Sequence, residues 1–493
     1  MSLAENILKT LSVEEQKSID KALSLTKQTQ ALALLSLLSK FNDPDTIEIR
    51  FKKSFPKGNI NVVKTQLGQL LLDQIYTQNK EDYAFAQVNE LLLQIHVFIK
   101  KSAFDVVKKL LDKAFILAEE NELFSSIADL LDIKLTLLNA GVLDTHEEIK
   151  KTILENWKKK NNHIEYQLLL SAQNKLIAQN FTIKTEELQT AHAQIIQNPL
   201  LNSQAEALSI KALLDFWIIK GQYFSVTNNY AEAAKCFEGF IHVLDKNPAL
   251  KRQRNLNYLS LCAQLVTYGY ILKNEAMMQA AIANLENATK YNEIEEIAAQ
   301  TLLVNANMAY FDFSKNKNGL QKTIIEAHEL LKQYAAKLKP DVRSAIMLSC
   351  ISGYAEFGLY EKLLEAIREF AAFIQSEARI DSKVAIYFYE LIAQIETGNE
   401  LMVNETLQNF NRFLLRHEFK GEFEQIMIKF LKIASAGSFK SKDELQLLKL
   451  QLVELPQKSL QNQNRVLYQI LTNMVESKMV GKKFHEYLAT IES

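Results

Sequence analysis

The sequence predicts an all-α fold, and three observations lead to that prediction. Its 493 residues include only 13 Gly and 6 Pro, whereas average usage of ~7% and ~5% would give roughly 35 and 25. Apolar residues recur at steps of three and four, which is the spacing of one helix face. Turn-like breaks recur about every 40 residues, which is typical of stacked helical hairpins.

Hydrophobic residues make up 48% of the chain and charged residues 23%, and the formal net charge is −1. These values are typical of an ordinary folded protein and give no field that would attract nucleic acid or an acidic membrane. The chain exceeds the ~250–300 residues that a single core supports. We therefore expect several domains or one elongated array.

The expected cellular location follows from targeting signals. No run of ~18 apolar residues is present, so no membrane span is expected, and the first ten residues do not resemble a signal peptide. The sequence thus predicts a cytoplasmic protein. Cys236, Cys262 and Cys350 are expected to be buried free thiols, because they are odd in number and far apart.

The helical elements follow one another regularly along the chain. One apolar stripe at helical spacing consists of Phe104, Val107, Leu111, Ala114 and Ala118. Breaks that fit the turn inside a helical hairpin are Lys101-Ser102, Ala140-Gly141, Asn180, Asn228-Asn229, Asn274, Asn316, Gly358, Gly398 and Gly437. Breaks that fit the connection between hairpins are Asn121, Asn161-Asn162, Asn198-Pro199, Asn247-Pro248, Tyr291-Asn292, Lys339-Pro340, Arg379-Ile380, Lys420-Gly421 and Pro456. Prolines occur mainly in the second set, because a proline between two hairpins ends a helix without removing one of its backbone hydrogen bonds.

One segment carries the most specific motif of the chain. Its residues are Trp217, Gly221, Phe224, Ala233, Phe237 and Pro248. This spacing resembles the tetratricopeptide repeat, in which an aromatic and a small residue on the first helix interlock with a small residue and an aromatic on the second. A weaker second copy within 344–378 contains Tyr354, Gly358, Tyr360 and Ile367. The resemblance implies a right-handed superhelical α-solenoid of about nine to ten hairpins, similar to tetratricopeptide arrays but with a period near 40 residues.

The first 80 residues differ from the array. Ser12-x-x-Glu15 predicts a capping box at the start of a helix. This helix and the segment Lys53-Ser54-Phe55-Pro56 resemble the amino-terminal region of uncharacterised Bacteroidetes tetratricopeptide proteins, which implies a bacterial source. We expect a small helical cap over residues 1–80, a tetratricopeptide-like array over 81–455 and carboxyl-terminal capping helices over 456–493.

The sequence contains no motif typical of a catalytic, cofactor-binding or metal-binding site. It contains neither GxxxxGK[ST], GxGxxG nor His-Glu-x-x-His, so we predict no catalytic residue, no cofactor and no metal ligand. Lys251, Arg252 and Arg254 form a basic cluster after Pro248. Either an exposed loop or contact with an acidic partner accounts for this cluster.

In tetratricopeptide arrays, the first helix of each hairpin lines the concave face. Transferring that register predicts an aromatic and apolar groove formed by Asp215, Gln222, Gln264, Tyr268, Tyr310, Phe313 and Phe388. The same register places Ile218, Ser225, Ile271, Ala306, Ile392 and Ile395 inward. Such a groove suits an apolar peptide or an amphipathic helix. The alternative is that these aromatic residues pack the interior of a tightly wound superhelix.

Two functional classes fit these features. The leading hypothesis is a non-enzymatic scaffold or adaptor that binds a protein or peptide on its concave face. The alternative is a ligand- or peptide-responsive regulator whose amino-terminal module contacts DNA or a signalling partner. Nucleic acid is not the expected partner, since residues 1–80 hold only a small excess of basic residues.

Overall fold

The computed structural model describes the chain except for residues 1, 9–10, 12, 26–27, 42, 81–82, 144–145, 180–185, 339, 377–379, 418–421, 436–441, 459–464 and 492–493. The described residues form 26 α-helices, three short 3-10 helices and no strand. The all-α prediction is therefore confirmed.

Internal contacts divide the chain into two compact units, residues 1–161 and 162–493. The first unit contains α1 (Leu3–Leu8), α2 (Val13–Leu25), α3 (Thr29–Lys40), α4 (Pro44–Ser54), α5 (Ile60–Asn79), α6 (Ala84–Lys100), α7 (Phe104–Glu120), α8 (Phe124–Asn139) and the first part of α9 (His146–Gln179). The predicted boundaries after residues 80 and 455 stay predictions.

The second unit continues with the remainder of α9 and with shorter helices. These are α10 (Glu186–Ile196), α11 (Ile210–Val226), α12 (Tyr230–Asp245), α13 (Pro248–Gln253), α14 (Asn255–Ile271), α15 (Glu275–Asn287), α16 (Glu293–Phe313), α17 (Lys317–Tyr334), α18 (Pro340–Glu356), α19 (Tyr360–Glu369), α20 (Ala371–Ser376), α21 (Ile380–Glu396), α22 (Glu400–Arg416), α23 (Glu422–Ser435), α24 (Lys442–Lys458), α25 (Arg465–Met479) and α26 (Phe484–Ile491).

The first unit has two apolar clusters. Helix α5 contacts α1, α2, α3 and α4, and buried residues such as Leu67 and Leu71 form the centre of that cluster. The second cluster joins α6, α7 and α8, and it includes Val107, Leu111 and Ala114 of the predicted stripe. Asp43 caps α4 by accepting a hydrogen bond from the Thr46 N–H at 2.9 Å. Ser12 of the predicted capping box lies outside the described residues.

The second unit has the contact pattern of stacked helical hairpins. We call α11, α14, α16, α18, α21, α23 and α25 the first helices, and α12, α15, α17, α19, α22, α24 and α26 the second helices. Each second helix up to α24 contacts the first helix of its own hairpin and that of the next. From α14 onward, each first helix also contacts the next first helix. This packing is consistent with a solenoid.

The hairpin turns share one local structure. Residues Asn228, Lys273, Lys315, Gly358 and Gly398 have φ between 56° and 75°, which is the left-handed region. After each of them, the next N–H donates to the carbonyl five residues earlier, as Asn229 does to Phe224 at 2.8 Å. An asparagine then often caps the second helix through its side-chain oxygen, as in Asn229, Asn274, Asn316 and Asn399. Asn and Gly in the sequence therefore mark these turns.

Most of the predicted breaks are confirmed. Helices end or begin at 101–102, 121, 140–141, 198–199, 228–229, 247–248, 274, 291–292, 316, 358 and 398. The predicted breaks at Asn180, Lys339, Arg379, Lys420-Gly421 and Gly437 fall wholly or partly outside the described residues.

The break predicted at Asn161-Asn162 is wrong, because α9 runs without interruption through both residues. Asn162 is buried, and its Nδ2 donates to the Glu206 carbonyl at 3.0 Å while its Oδ1 accepts from the Leu208 N–H at 2.9 Å. Asparagine disfavours helices when its side chain competes for the local backbone. Here the side chain is engaged by backbone more than forty residues away, so the helix continues.

The break predicted at Pro456 is also wrong, because α24 extends through it to Lys458. Proline lacks the N–H that would donate to the carbonyl four residues earlier, which is that of Leu452. The Tyr468 hydroxyl donates to this carbonyl instead. The polar group that proline leaves without a helical donor is thus satisfied by α25.

Candidate binding surface

The motif residues of α11 and α12 interlock through two close contacts. The Phe237 ring lies against Gly221, where a Cβ would come within 2.2 Å of Cε1. In the reciprocal contact, the Trp217 ring lies against Gly239, where a Cβ would come within 2.9 Å of Cε2. Ala233 is buried beside these residues. An aromatic and a small residue on each helix therefore allow the pair to approach closely, as the repeat resemblance implies.

Side-chain hydrogen bonds connect successive first helices. The hydroxyls of Ser225 and Tyr268 lie 2.5 Å apart and join α11 to α14. The Tyr270 hydroxyl donates to Asp312 and joins α14 to α16. The Ser349 hydroxyl donates to Asn305 at 2.6 Å and joins α18 to α16. These bonds hold the first helices side by side in one register.

Asp215, the first predicted groove residue, is fully buried on α11. Its Oδ1 lies 3.2 Å from Nη2 of Arg254, and its Oδ2 lies 3.3 Å from Nε2 of His163. Buried carboxylates require such partners, because desolvation of an unpaired charge is costly. In this structure Asp215 therefore links α9, α11 and the start of α14 rather than facing an open groove.

The basic cluster after Pro248 is engaged within the chain. Lys251 lies 2.6 Å from Asp245 and above the Tyr258 ring, and Arg252 lies above the Tyr291 ring. Arg254 pairs with Asp215 as described. The two basic residues Lys251 and Arg252 are part of helix α13, so the expectation of an exposed loop is wrong.

Tyr268 of α14 is buried against α11 and α12. Its ring stacks on Phe237, with centroids 5.9 Å apart and an interplanar angle of 12°. Burial raises the pKa of Tyr268 to about 12, while its hydrogen bonds with Ser225 and Gln264 oppose that increase. Gln222 is half-buried and donates to Asn174 at 2.9 Å. The contacts of Tyr268 and Gln222 position α11 and α14, and they leave little of the Tyr268 side chain accessible to solvent.

Phe388 and Ile392 on α21 are also buried. Helices α18, α21, α23, α25 and α26 contact one another in that order, and α26 returns to contact α18. Helix α21 itself packs against α18, α19, α22 and α23. The aromatic residue that the sequence places in the groove is therefore part of the largest apolar cluster of the molecule.

Phe313 of α16 meets Tyr270 of α14, and Tyr310 lies one turn earlier on α16. We call Tyr270, Ile271, Tyr310 and Phe313 the Tyr270 patch. The Tyr270 and Phe313 rings meet edge to face with centroids 6.2 Å apart. Tyr270 is 41% exposed and Ile271 is 39% exposed. The carboxyl-terminal ends of α14 and α16 therefore combine two exposed residues, Tyr270 and Ile271, with two aromatic residues, Tyr310 and Phe313, that are partly buried against the core.

Polar groups surround the Tyr270 patch and fix its rings. The Tyr310 hydroxyl donates to Glu275 at 3.1 Å and accepts from Gln279 at 2.9 Å. Asp312 accepts from the Tyr270 hydroxyl. The rim carries both signs of charge, from the carboxylates of Glu275 and Asp312 and from the exposed Lys273 and Lys315. A surface with oriented aromatic rings suits apolar side chains, and its carboxylates suit a basic residue beside them.

Tyr270, Gln279 and Gly239 are the residues of this region that the sequence interpretation missed. Tyr270 lies two positions from Tyr268, which places it on nearly the opposite side of the helix. Its position three residues before the left-handed turn at Lys273, at the end of the helix, was the available signal. Gly239 could have been found as the small partner that an aromatic residue on the first helix requires.

Comparison of the chain with protein-family models, with curated proteins and with solved structures found no match. The resemblance to tetratricopeptide repeats therefore rests on the residues and on the helix packing. Within the described part of the chain, no helix is both long and apolar enough to cross a bilayer. The described residues likewise contain no group of three or more His, Cys, Asp or Glu that could hold a metal ion.

Proposed function

We propose that this chain is a non-enzymatic scaffold or adaptor that binds a protein or peptide through the Tyr270 patch. The proposal includes a tetratricopeptide-like, right-handed superhelix of about nine to ten hairpins and a cytoplasmic location. The observation that carries it is the set of aligned first helices, which place the exposed Tyr270 and Ile271 of α14 beside the partly buried Phe313 of α16.

The patch has the properties of an anchor site. Aromatic residues dominate the binding energy of many interfaces because they bury much area with few rotatable bonds. Here the rings are held by Asp312, Glu275 and Gln279, so little conformational entropy remains to be lost on binding. An amphipathic helix with apolar residues three and four positions apart matches this surface best.

A displayed library of random peptides, selected on the full-length chain, tests this proposal. We expect enriched sequences with apolar residues at helical spacing and with nearby lysine or arginine. Truncation of anchor aromatics costs ~2 kcal/mol or more. Affinity for the Tyr310→Ala/Phe313→Ala variant should thus fall about thirtyfold or more.

The matched control is Tyr76→Ala/Tyr83→Ala, which removes two exposed aromatic residues of the first unit. Selected peptides should bind this control as they bind the unaltered chain. Equal binding to the Tyr310→Ala/Phe313→Ala variant, with unchanged helicity, would contradict the proposal. Enrichment of no sequence on the unaltered chain would also contradict it.

A further inference from the structure

The last helix, α26, packs onto a distant part of the second unit. It contacts α18 as well as its neighbour α25. Phe484, its first residue, is 2% exposed and belongs to the apolar cluster around α18, α21, α23 and α25. Leu488 packs against the same cluster from one turn later. One face of this short helix is thus held in a preformed socket.

His485 of α26 contacts the residues that form the floor of the socket. Its ring lies directly against Gly358, where a Cβ would come within 2.7 Å of both Cγ and Nδ1. Its Nδ1 lies 3.2 Å from the Tyr360 hydroxyl, and the two rings meet edge to face at 5.8 Å. Gly358 also has φ of 67°. Glycine is therefore required at position 358 for two reasons. The turn needs a positive φ, and a Cβ would collide with the imidazole of His485.

Glu396, the last residue of α21, forms the end of the socket. Its side chain is 2% exposed and lies 2.5 Å from Nζ of Lys478. The same oxygen accepts from the backbone N–H of Phe484 at 3.4 Å. A carboxylate at this point favours a helix N-terminus, because the first N–H groups of a helix lack internal partners. Glu396 thus fixes both the position and the direction of α26.

The remainder of α26 makes a weak attachment. Ala489, Thr490 and Ile491 are exposed, so only the first turns contribute to the apolar contact. The connection from α25 contains Gly481 at φ of 71°, and an added Cβ there would meet nothing within 4 Å. A helix of eight residues is marginal without packing. Besides the socket contacts, the Tyr487 hydroxyl donates to Glu476 of α25 at 2.7 Å. The attachment of α26 therefore rests on a few side chains of its first two turns.

We propose that the socket formed by Gly358, Tyr360 and Glu396 is a helix-binding site, which α26 occupies as a reversible latch. The external ligand of this site is a short amphipathic helix that presents a Phe-His pair in its first turn and an apolar residue one turn later. Such a helix replaces α26 while the helices α18, α21, α23 and α25 stay folded. The socket is separate from the Tyr270 patch and does not depend on that proposal.

The first test compares two glycine variants of the full chain by amide hydrogen exchange. Gly358→Ala and Gly398→Ala introduce the same left-handed strain, but only residue 358 faces a side chain, that of His485. We expect Gly358→Ala to accelerate exchange in 484–491 about tenfold or more, with little change in α25. Gly398→Ala should leave exchange in 484–491 unchanged. Equal effects of both variants would overturn the proposal, as would joint acceleration of α25 and α26.

The second test supplies the latch in trans. The probe is a fluorescent peptide of residues 480–491, and the chain is Phe484→Ala/His485→Ala, which keeps the socket intact. We expect the peptide to bind this variant at least about tenfold more tightly than it binds the unaltered chain, where α26 competes at an effective concentration in the mM range. Adding Gly358→Ala to the variant should abolish binding.

Failure of the peptide to bind the variant, with helicity of the remaining chain preserved, would overturn the proposal. Equal binding to the unaltered chain would also overturn it, because the peptide would then occupy another site. If Phe484→Ala/His485→Ala loses helicity, His485→Ala alone serves as the variant in which α26 is released from the socket. Loss of helicity in His485→Ala would show that α26 is part of the core and would overturn the latch.

Discussion

Replacement of Gly221 by alanine tests the interlock between α11 and α12. On an isolated helix this substitution is stabilising by about 1 kcal/mol, because glycine is a poor helix former. In this structure, the added Cβ would lie 2.2, 2.6 and 2.9 Å from three atoms of the Phe237 ring. Carbon atoms normally approach to about 3.5–4.0 Å. The two effects therefore have opposite signs.

The ring of Phe237 has little room to move away. Phe237 is buried, and Tyr268 stacks on it at a centroid distance of 5.9 Å. Overpacking of a filled core costs about 1–3 kcal/mol. Because the closest approach is only 2.2 Å, the overpacking cost lies in the upper part of that range, at about 2–3 kcal/mol. Subtraction of the propensity gain of about 1 kcal/mol leaves a destabilisation of the α11–α12 hairpin by about 1–2 kcal/mol.

Native-state hydrogen exchange in α11 and α12 measures this change locally. A loss of 1–2 kcal/mol corresponds to exchange about 5–30 times faster. Gly68→Ala is the matched control, since Gly68 also lies inside a helix but its nearest neighbour is the Leu3 side chain at 3.3 Å. We expect that control to be neutral or stabilising. Slower or unchanged exchange in Gly221→Ala would refute the interlock.

Three further predictions concern a turn, a pH-dependent contact and the core. Lys315→Gly should stabilise its hairpin by about 0.5–1 kcal/mol in thermal unfolding, because Lys315 is held in the left-handed region at φ of 58°; a lower melting temperature would contradict this. Partial burial of Glu369 is outweighed by its hydrogen bonds with His328 and Lys332, which hold its pKa below the ordinary value. Its stabilising contribution should therefore be complete above pH ~4.5 and be lost as the pH falls through the lowered pKa. The melting temperatures of the unaltered chain and Glu369→Gln should converge in acid, and a constant difference would argue against this pairing. Phe388→Ala should destabilise the second unit by about 3–5 kcal/mol through a cavity, while peptide affinity at the Tyr270 patch stays unchanged; a selective loss of affinity would place Phe388 in the binding surface.

The turns could be predicted from the sequence because their signal is local. An asparagine that caps the second helix, or a glycine in the left-handed position, specifies a turn with few other contacts. The two wrong breaks depend on distant partners. Asn162 is engaged by the backbone at Glu206 and Leu208, and the carbonyl opposite Pro456 is satisfied by Tyr468. Neither partner is visible from the neighbouring sequence.

The candidate surface could be predicted only in part, for a geometric reason. Helical spacing places Tyr310 and Phe313 on one side of α16, and the structure brings Phe313 against Tyr270, which the register does not place inward. On α14, by contrast, Tyr268 is buried and Tyr270, only two residues later, is exposed. An error of one residue in the assumed register rotates the predicted helix face by about 100°. The burial of Phe388 follows from the packing of α18, α19, α22 and α23 around α21, which no local period encodes.

Site-specific photo-cross-linking tests the central claim most directly. A benzophenone amino acid replaces Ile271 in the Tyr270 patch or, as a control, Leu208, an apolar residue of similar exposure elsewhere in the second unit. With a peptide selected on the full-length chain, we predict a cross-link from position 271 and none from position 208. Cross-linking from position 208 alone, or from neither position despite measurable binding, would contradict the assignment of the Tyr270 patch as the binding surface.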